Sequence, residues 1–396
     1  MKRWLVGLLI LLIVAAGAFF GLAPGMTERG LNKIDGKPLA AVSEHARALH
    51  KSLTIVDLHS DTLLWQRSVL DRANRGHVDL PRLQDGHVAL QIFSSVTKTP
   101  KGQNYDANSG DTDNITLLTV AQLQPPRTWT SLLQRSLWHA EKLHRAVADA
   151  DGKLIAIAAP ADIDALLAAR RGKPLATGAM LSIEGLQDLE GDIAHLDTLH
   201  AAGFRMGGLA HFFDNDLAGS MHGLQKYGLT PLGRRVVPRM EDLGMIVDIA
   251  HCSRACVADI LQIARRPVVS SHGGVQATCK VNRNLDDDQI RGVAATGGLI
   301  GIGYWDAAIC DTSPASIAKA MKHVRDLVGI EHVALGSDYD GGTTVRFDTS
   351  QLVQVTQALI DAGFTDDDIR AAMGGNAIRV LRAGIMPLKA PASAAK

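Results

Sequence analysis

In Thr54-Ile55-Val56-Asp57-Leu58-His59-Ser60-Asp61 a short, mostly apolar run, Thr54–Leu58, leads into a histidine and a carboxylate two positions apart. A run of this length and character reads as a strand buried on both faces, as in parallel sheets. Seven more such runs follow: Ala89–Phe93, Met180–Ile183, Arg205–Ala210, Met245–Ala250, Pro267–Ser270, Leu299–Gly303 and His332–Gly336. Helix-length segments separate most of them, among them Pro231–Leu243, Arg254–Ala264, Asp286–Ala295 and Pro314–Val328. Eight strands alternating with helices predict an α/β chain folded as a (β/α)8, TIM-like barrel over residues 51–385. Leu154–Ala158 is a ninth apolar run, expected as a minor strand or loop within an insertion. Asn114–Ala150 predicts a helical insertion between the second and third barrel strands, and residues 101–150 receive no role.

The barrel is preceded by Lys2-Arg3 and then Trp4 to Ala23 without a charge. Twenty residues at helical rise span roughly 30 Å, the thickness of a bilayer core. Residues 1–24 are therefore expected as an N-terminal hydrophobic helix, and its length favours a retained anchor over a signal cleaved near Ala16-Gly17-Ala18. The basic pair would stay cytoplasmic, which puts the catalytic domain on the periplasmic or extracellular side, or secretes it if the segment is cut. Residues 25–50 read as a polar linker and 386–396 as a flexible tail. In the 396-residue chain Lys+Arg and Asp+Glu balance at 41 each, with no basic stripe, which argues against a nucleic-acid partner. Four cysteines permit one or two bridges in an oxidising compartment. A bridge between Cys252 and Cys256 is not expected, because both are read onto one helix face.

Polar residues collect where the strands end. The first ends in His59 and Asp61, the third in Glu184, the fourth in His211, the fifth in His251, the sixth in His272 and the eighth in Asp338. The carboxyl ends of barrel strands ring one mouth, so residues almost 280 positions apart should converge there. Imidazoles and carboxylates without thiolates suit zinc or a similar divalent ion at an open, catalytic site. Five ligands exceed one open zinc site but divide between two, with Glu184 able to bridge, and two such ions would make hydroxide available at neutral pH. Singly, each residue has a structural reading: a hydrogen-bonded histidine, a turn at Glu184-Gly185, a loop carboxylate at Asp338. Jointly, so many coincidences at one edge of one barrel favour a metal site. The other histidines, His222 included, are read as structural.

These residues resemble the membrane (renal) dipeptidases, zinc metallopeptidases of the amidohydrolase-like barrels. The matching motifs are Val56-Asp57-Leu58-His59-Ser60-Asp61, Ser182-Ile183-Glu184-Gly185, Gly228-Leu229-Thr230-Pro231-Leu232-Gly233 and Gly244-Met245-Ile246-Val247-Asp248-Ile249-Ala250-His251. They continue through Pro267-Val268-Val269-Ser270-Ser271-His272, Arg283-Asn284, Leu335-Gly336-Ser337-Asp338-Tyr339-Asp340-Gly341 and Gly374-Gly375-Asn376. The resemblance implies that His59 and Asp61 hold one zinc ion, that His251 and His272 hold another, and that Glu184 bridges them. It further implies that His211 contacts substrate, that Arg283 binds the terminal carboxylate of a dipeptide, and that Asp338 shuttles the proton to the leaving amine. Tolerance of a C-terminal D-residue also follows from it. Phe212-Phe213 after His211 depart from the pattern by their bulk.

Two rivals accompany this reading: a metal-dependent amidohydrolase acting on another small amide, ester or lactam, and an inactive barrel kept as a binding module. An amidated dipeptide separates the first from a dipeptidase, and a metal count separates the second. Expected partners are small dipeptides, the membrane through the N-terminal segment, and a second copy of the chain in a homodimer.

Overall fold

In the computed structural model, which describes residues 2–171 and 176–387, eight parallel strands close into a ring. They are β1 (Ile55–Ser60), β2 (Val88–Val96), β3 (Thr177–Glu184), β4 (Phe204–Gly208), β5 (Ile246–Asp248), β6 (Val269–Ser270), β7 (Leu299–Ile302) and β8 (Val333–Leu335). Each pairs with the next, and β8 returns to β1 with Leu335 opposite Asp57. Every one of the eight apolar runs overlaps one barrel strand, and the first three strands run beyond theirs, to Ser60, Val96 and Glu184. The ninth run, Leu154–Ala158, holds a short strand, Leu154–Ala156, that pairs with the start of β3 through Leu154 and Thr177 without entering the ring.

Burial on both faces explains the nearly continuous apolar runs. One cluster takes Val56 and Leu58, Leu90 and Ile92, Met180, Met206, Ile246, Val269, Leu299 and Ala334, at least one residue from every strand. Ala377, Val380 and Leu381 of the helix Asn376–Gly384 join it. The alternate residues, such as Ile55, Phe93, Leu181, Val247, Ile300 and Leu335, belong to a second cluster shared with the surrounding helices. Each Leu- or Val-sized side chain buried this way contributes on the order of 1.5–3 kcal/mol. With the interior so filled, the strands' carboxyl ends form a mouth at which polar groups converge.

The N-terminal part departs from expectation. α1 (Lys2–Gly21) is an exposed apolar helix, within a stretch long and apolar enough to cross a membrane. The segment read as a linker is ordered: α2 (Ala23–Leu31), a strand Lys33–Ile34, and α3 (Glu44–Ser52). Its polar residues have partners far along the chain. Glu28, only 1% exposed, is held by Arg67 Nε and Arg75 Nε, each at 2.6 Å. Lys33–Ile34 pairs with Thr344–Val345, just past the Asp338 loop. Composition alone does not distinguish such buried pairing from solvation, which is why this stretch read as linker. Of the tail, residues 388–396 lie outside the described residues.

Candidate active site

A slip in register aims the first two site residues. Asp57 lies opposite Gln91 and Ser60 opposite Phe93, so three steps along β1 match two along β2. Strict alternation from Val56 and Leu58 in the interior cluster would send His59 toward the helices. The extra residue turns His59 and Asp61 to the mouth instead. Glu184 is the last residue of β3. Gly185 follows at φ 86°, where an added Cβ would sit 2.8 Å from His211 Cβ, so glycine lets the β4 loop close on Glu184. His251 and Asp338 have φ of 64° and 58° without being glycine. Such left-handed backbone costs on the order of 1 kcal/mol or more and gathers at functional sites.

Two buried carboxylates hold the strand ends in place. Asp57 Oδ1 accepts the Ser337 amide at 2.9 Å and its Oδ2 the Ser337 hydroxyl at 2.5 Å, fixing the residue before Asp338. Asp248 Oδ1 accepts the Ala250 amide at 3.0 Å and the Ser271 amide at 2.9 Å, fixing the residues before His251 and His272.

The structure brings His59, Asp61, Glu184, His211, His251, His272 and Asp338 together, all buried. Glu184 sits at the centre. Its Oε2 lies 3.6 Å from His59 Nε2, while Oε1 lies 2.7 Å from His251 Nε2, 3.1 Å from His272 Nε2 and 3.5 Å from His211 Nε2. Asp61 Oδ1 lies 3.4 Å from His59 Nε2. Three overlapping groups could each hold an ion: His59, Glu184 and His272; Glu184, His211 and His251; His59, Asp61 and Asp338. Within this cluster both ring nitrogens of His59, Asp61 Oδ1 and the Nδ1 atoms of His211 and His251 are buried without a hydrogen-bond partner. Buried polar atoms seldom stay unpaired, so a donor set of this kind fits a divalent cation.

Protonation follows the same geometry. Burial and then Arg283 push His251 well below the usual imidazole value, and burial and His59 do the same to His272, leaving both neutral. Burial opposes ionisation of Glu184, yet His211, His59 and His251 outweigh it and hold the carboxyl well below its usual range. Asp338 is pushed well above its usual value by burial, reinforced by Asp61 and Glu184 against the opposing pull of His59. His251 and His272 thus offer neutral imidazoles beside an ionised carboxylate, the forms that bind metal. At His59, by contrast, burial is outweighed by Asp61 and Glu184, which hold it well above its usual value, so an ion binding there displaces a proton.

Arg283, 3% exposed, donates from Nη2 to the His272 carbonyl at 3.0 Å. Among the described residues no carboxylate lies within ion-pair distance of it. Asp286 pairs with Arg254 and caps its own helix, and Asp287 pairs with His323 at 2.7 Å. Its guanidinium lies over the Trp305 ring and lines a cavity of about 590 Å³ shared with Asp61, Glu184, His211, His251 and Asp338. Gly341 is obligatory beside them: a Cβ there would meet Asp338 Oδ1 and approach Asp61 Oδ2 to 2.8 Å.

Some participants were not singled out by pattern. His222, read as structural, is buried against the site: its ring stacks on Phe212 with centroids 4.7 Å apart and lies 5.2 Å from His251. It belongs to none of the three ligand groups. Residues 101–150 wall the cavity through Tyr105, whose hydroxyl accepts from Trp305 Nε1 at 3.2 Å, and through Ile115 and Leu118. Cysteine pairing also differs from expectation: Cys252 is bonded to Cys256, and Cys279 to Cys310. Cys252 precedes the helix Arg254–Ile263 instead of lying on it, and the turn through Ser253 brings the two Cα atoms to 5.4 Å.

Comparison with known proteins agrees with this geometry. Residues 43–388 match the family described as membrane dipeptidase, peptidase family M19. The chain is 28% identical over 368 residues to the dipeptidase aclJ of Aspergillus oryzae, covering 85% of this chain and 81% of the relative. It is 30% identical over 319 residues to the dipeptidase tcpJ of Claviceps purpurea, covering 78% and 69%. The fold is similar to the probable dipeptidase PvdM of Pseudomonas aeruginosa, with a TM-score of 0.72 at 21% identity over 86% of this chain and 98% of that one. It is also similar to a metallo peptidase of Rhodobacter sphaeroides, with a TM-score of 0.67 at 21% identity over 84% and 99%. The protein therefore belongs to the membrane dipeptidase family, peptidase family M19, and is a metallo-dipeptidase.

Proposed function

We propose that the enzyme is a binuclear zinc dipeptidase in which His59 and Asp61 hold one ion, His251 and His272 hold the other, and Glu184 spans both. The observation that carries this reading is the division of Glu184, with Oε2 toward His59 and Oε1 toward His251 and His272. When bound, the ions supply a water activated at neutral pH and positive charge for the tetrahedral oxyanion.

The chain's own groups do the rest. Arg283, buried without a carboxylate of its own, offers a fork for the dipeptide's C-terminal carboxylate. Anchoring that end sets the reach to the scissile amide and limits substrates to two residues. His211, kept neutral by burial against the pull of Glu184, can donate a hydrogen bond to the scissile carbonyl oxygen. Asp338 takes the proton lost by the attacking water and returns it to the leaving amine, a role suited to a carboxyl whose pKa is raised. A C-terminal D-residue is accepted in this reading; the Rhodobacter sphaeroides relative was solved with a phosphinate mimic of the dipeptide L-Ala-D-Ala.

The N-terminal helix anchors the enzyme, and its two disulfides suit the oxidising, periplasmic or extracellular side. Paired kinetics on a dipeptide and its C-terminal amide test the proposal. The free acid should be preferred by on the order of a hundredfold or more, the loss expected when a buried charge goes unpaired. Equal rates on both would refute Arg283 as the anchor. Elemental analysis should find two zinc equivalents per chain, and one would refute the binuclear centre.

A further inference from the structure

We propose that the juxtamembrane helix α2 builds, with the β1–β2 side of the mouth, an apolar subsite for the residue amino-terminal to the scissile bond. The enzyme should then favour dipeptides that begin with a large apolar residue. This rests on the assignment of Arg283 as the carboxylate anchor. Arg283 follows β6, and in the eight-strand ring β2 lies diametrically opposite, four strands away in either direction. A dipeptide held at its carboxylate by Arg283 and cut at the central metal cluster must extend its amino-terminal residue toward β1 and β2.

That sector has its own apolar cluster. Leu64 and Trp65 after β1, Val96 at the end of β2 and Ile115 from the insertion pack together, with Leu118 against them. Phe19, Ala23 and Leu31 of the N-terminal segment line the same cavity. Leu31 and Leu117 line it while remaining 48% and 63% exposed, so this apolar surface is not accounted for by core packing.

The wall is fixed in place. Glu28 is gripped by Arg67 and Arg75, and Arg67 also binds Asp340, two residues past Asp338. Asn32 Oδ1 accepts the Gly342 amide at 2.8 Å. Residues before 43, and α2 with them, lie outside the residues that match the family.

The test compares kcat/KM of the full-length, zinc-loaded enzyme for leucyl-alanine and asparaginyl-alanine, whose first residues are similar in size but differ in polarity. The parent should favour leucyl-alanine by on the order of tenfold or more, and Leu31→Asp should reduce that ratio to within about threefold. Leu117→Asp, also at an exposed position, should act in the same direction. A flat ratio in the parent, or a ratio unmoved by both variants, would overturn the subsite. Leucyl-alanine amide serves as the control: if it is cut as fast as the acid, the Arg283 anchor itself is wrong. Discrimination against the amide with a flat leucyl-to-asparaginyl ratio would remove the subsite alone.

Discussion

On the β1–β8 side of the mouth, Asp57 ties its own strand end to Ser337, the residue before Asp338. On the β5–β6 side, Asp248 ties the approach to His251 to Ser271, the residue before His272. The device is the same, and what stands behind it differs. Behind β5–β6 are local contacts: the Cys252–Cys256 pair and Ser253, whose side chain caps the next helix by accepting the Cys256 amide at 2.9 Å. Behind β1–β8 stands a charged chain from Asp340 through Arg67 to Glu28 in α2, beyond the family match. One half of the site is thus held from within the barrel, and the other leans on a segment in front of it, outside the residues that match the family.

The comparison is sharpest at Glu184, the group both halves share. Glu184→Gln should empty both metal positions together and reduce dipeptide turnover to background, read by elemental analysis alongside the rate. Stepwise loss of a single ion would mean that the halves bind metal independently. Asp338→Asn should follow in size: metal content at parental level, with turnover reduced by on the order of 10²–10⁴, the usual contribution of a general acid–base. Parental turnover in that variant would remove Asp338 from the proton path and leave the β1–β8 half with ligands only.

The barrel was legible because its strands are buried on both faces, and that requirement writes apolar runs directly into the chain. The polar ring at their ends was legible for a related reason, since the alternative to function was several independent accidents. His222 was not legible: nothing near it in sequence marks it, and its neighbours Tyr105 and Phe212 reach it only through the fold. Glu28 was hidden for the opposite reason. A glutamate in a polar stretch reads as solvated, and only the two arginines that close on it from residues 67 and 75 make it structural. The slip in β1 was likewise invisible: alternation puts His59 and Asp61 on one face, but only the pairing with β2 reveals the extra residue that turns that face to the mouth.

Smaller effects separate the halves. Asp57→Asn and Asp248→Asn should each weaken metal binding by about 10–100-fold, as loss of groups that orient ligands usually does. On the proposed assignment, Asp57→Asn should shift release of the ion given to His59 and Asp61, and Asp248→Asn release of the one given to His251 and His272. Stepwise dialysis with metal analysis distinguishes them, and an identical release profile for both variants would erase the division drawn here.

Glu28→Gln tests the asymmetry with the smallest effect on chemistry. The amide cannot satisfy two guanidinium groups as the carboxylate does, so stability should fall by about 3 kcal/mol, the order expected for breaking a buried ion pair. Arg67 keeps Asp340, so the Asp338 loop should loosen without losing its place. The expected result is a lower Tm with a few-fold drop in kcat/KM, while both metal equivalents stay bound. Among the described residues no hydrogen bond or ion pair joins the β5–β6 half to Glu28, Arg67 or Asp340, so that half should keep metal as the parent does. If Glu28→Gln weakened that ion as strongly as Asp248→Asn, α2 would be supporting the whole mouth, and the two halves would have to be treated as one unit.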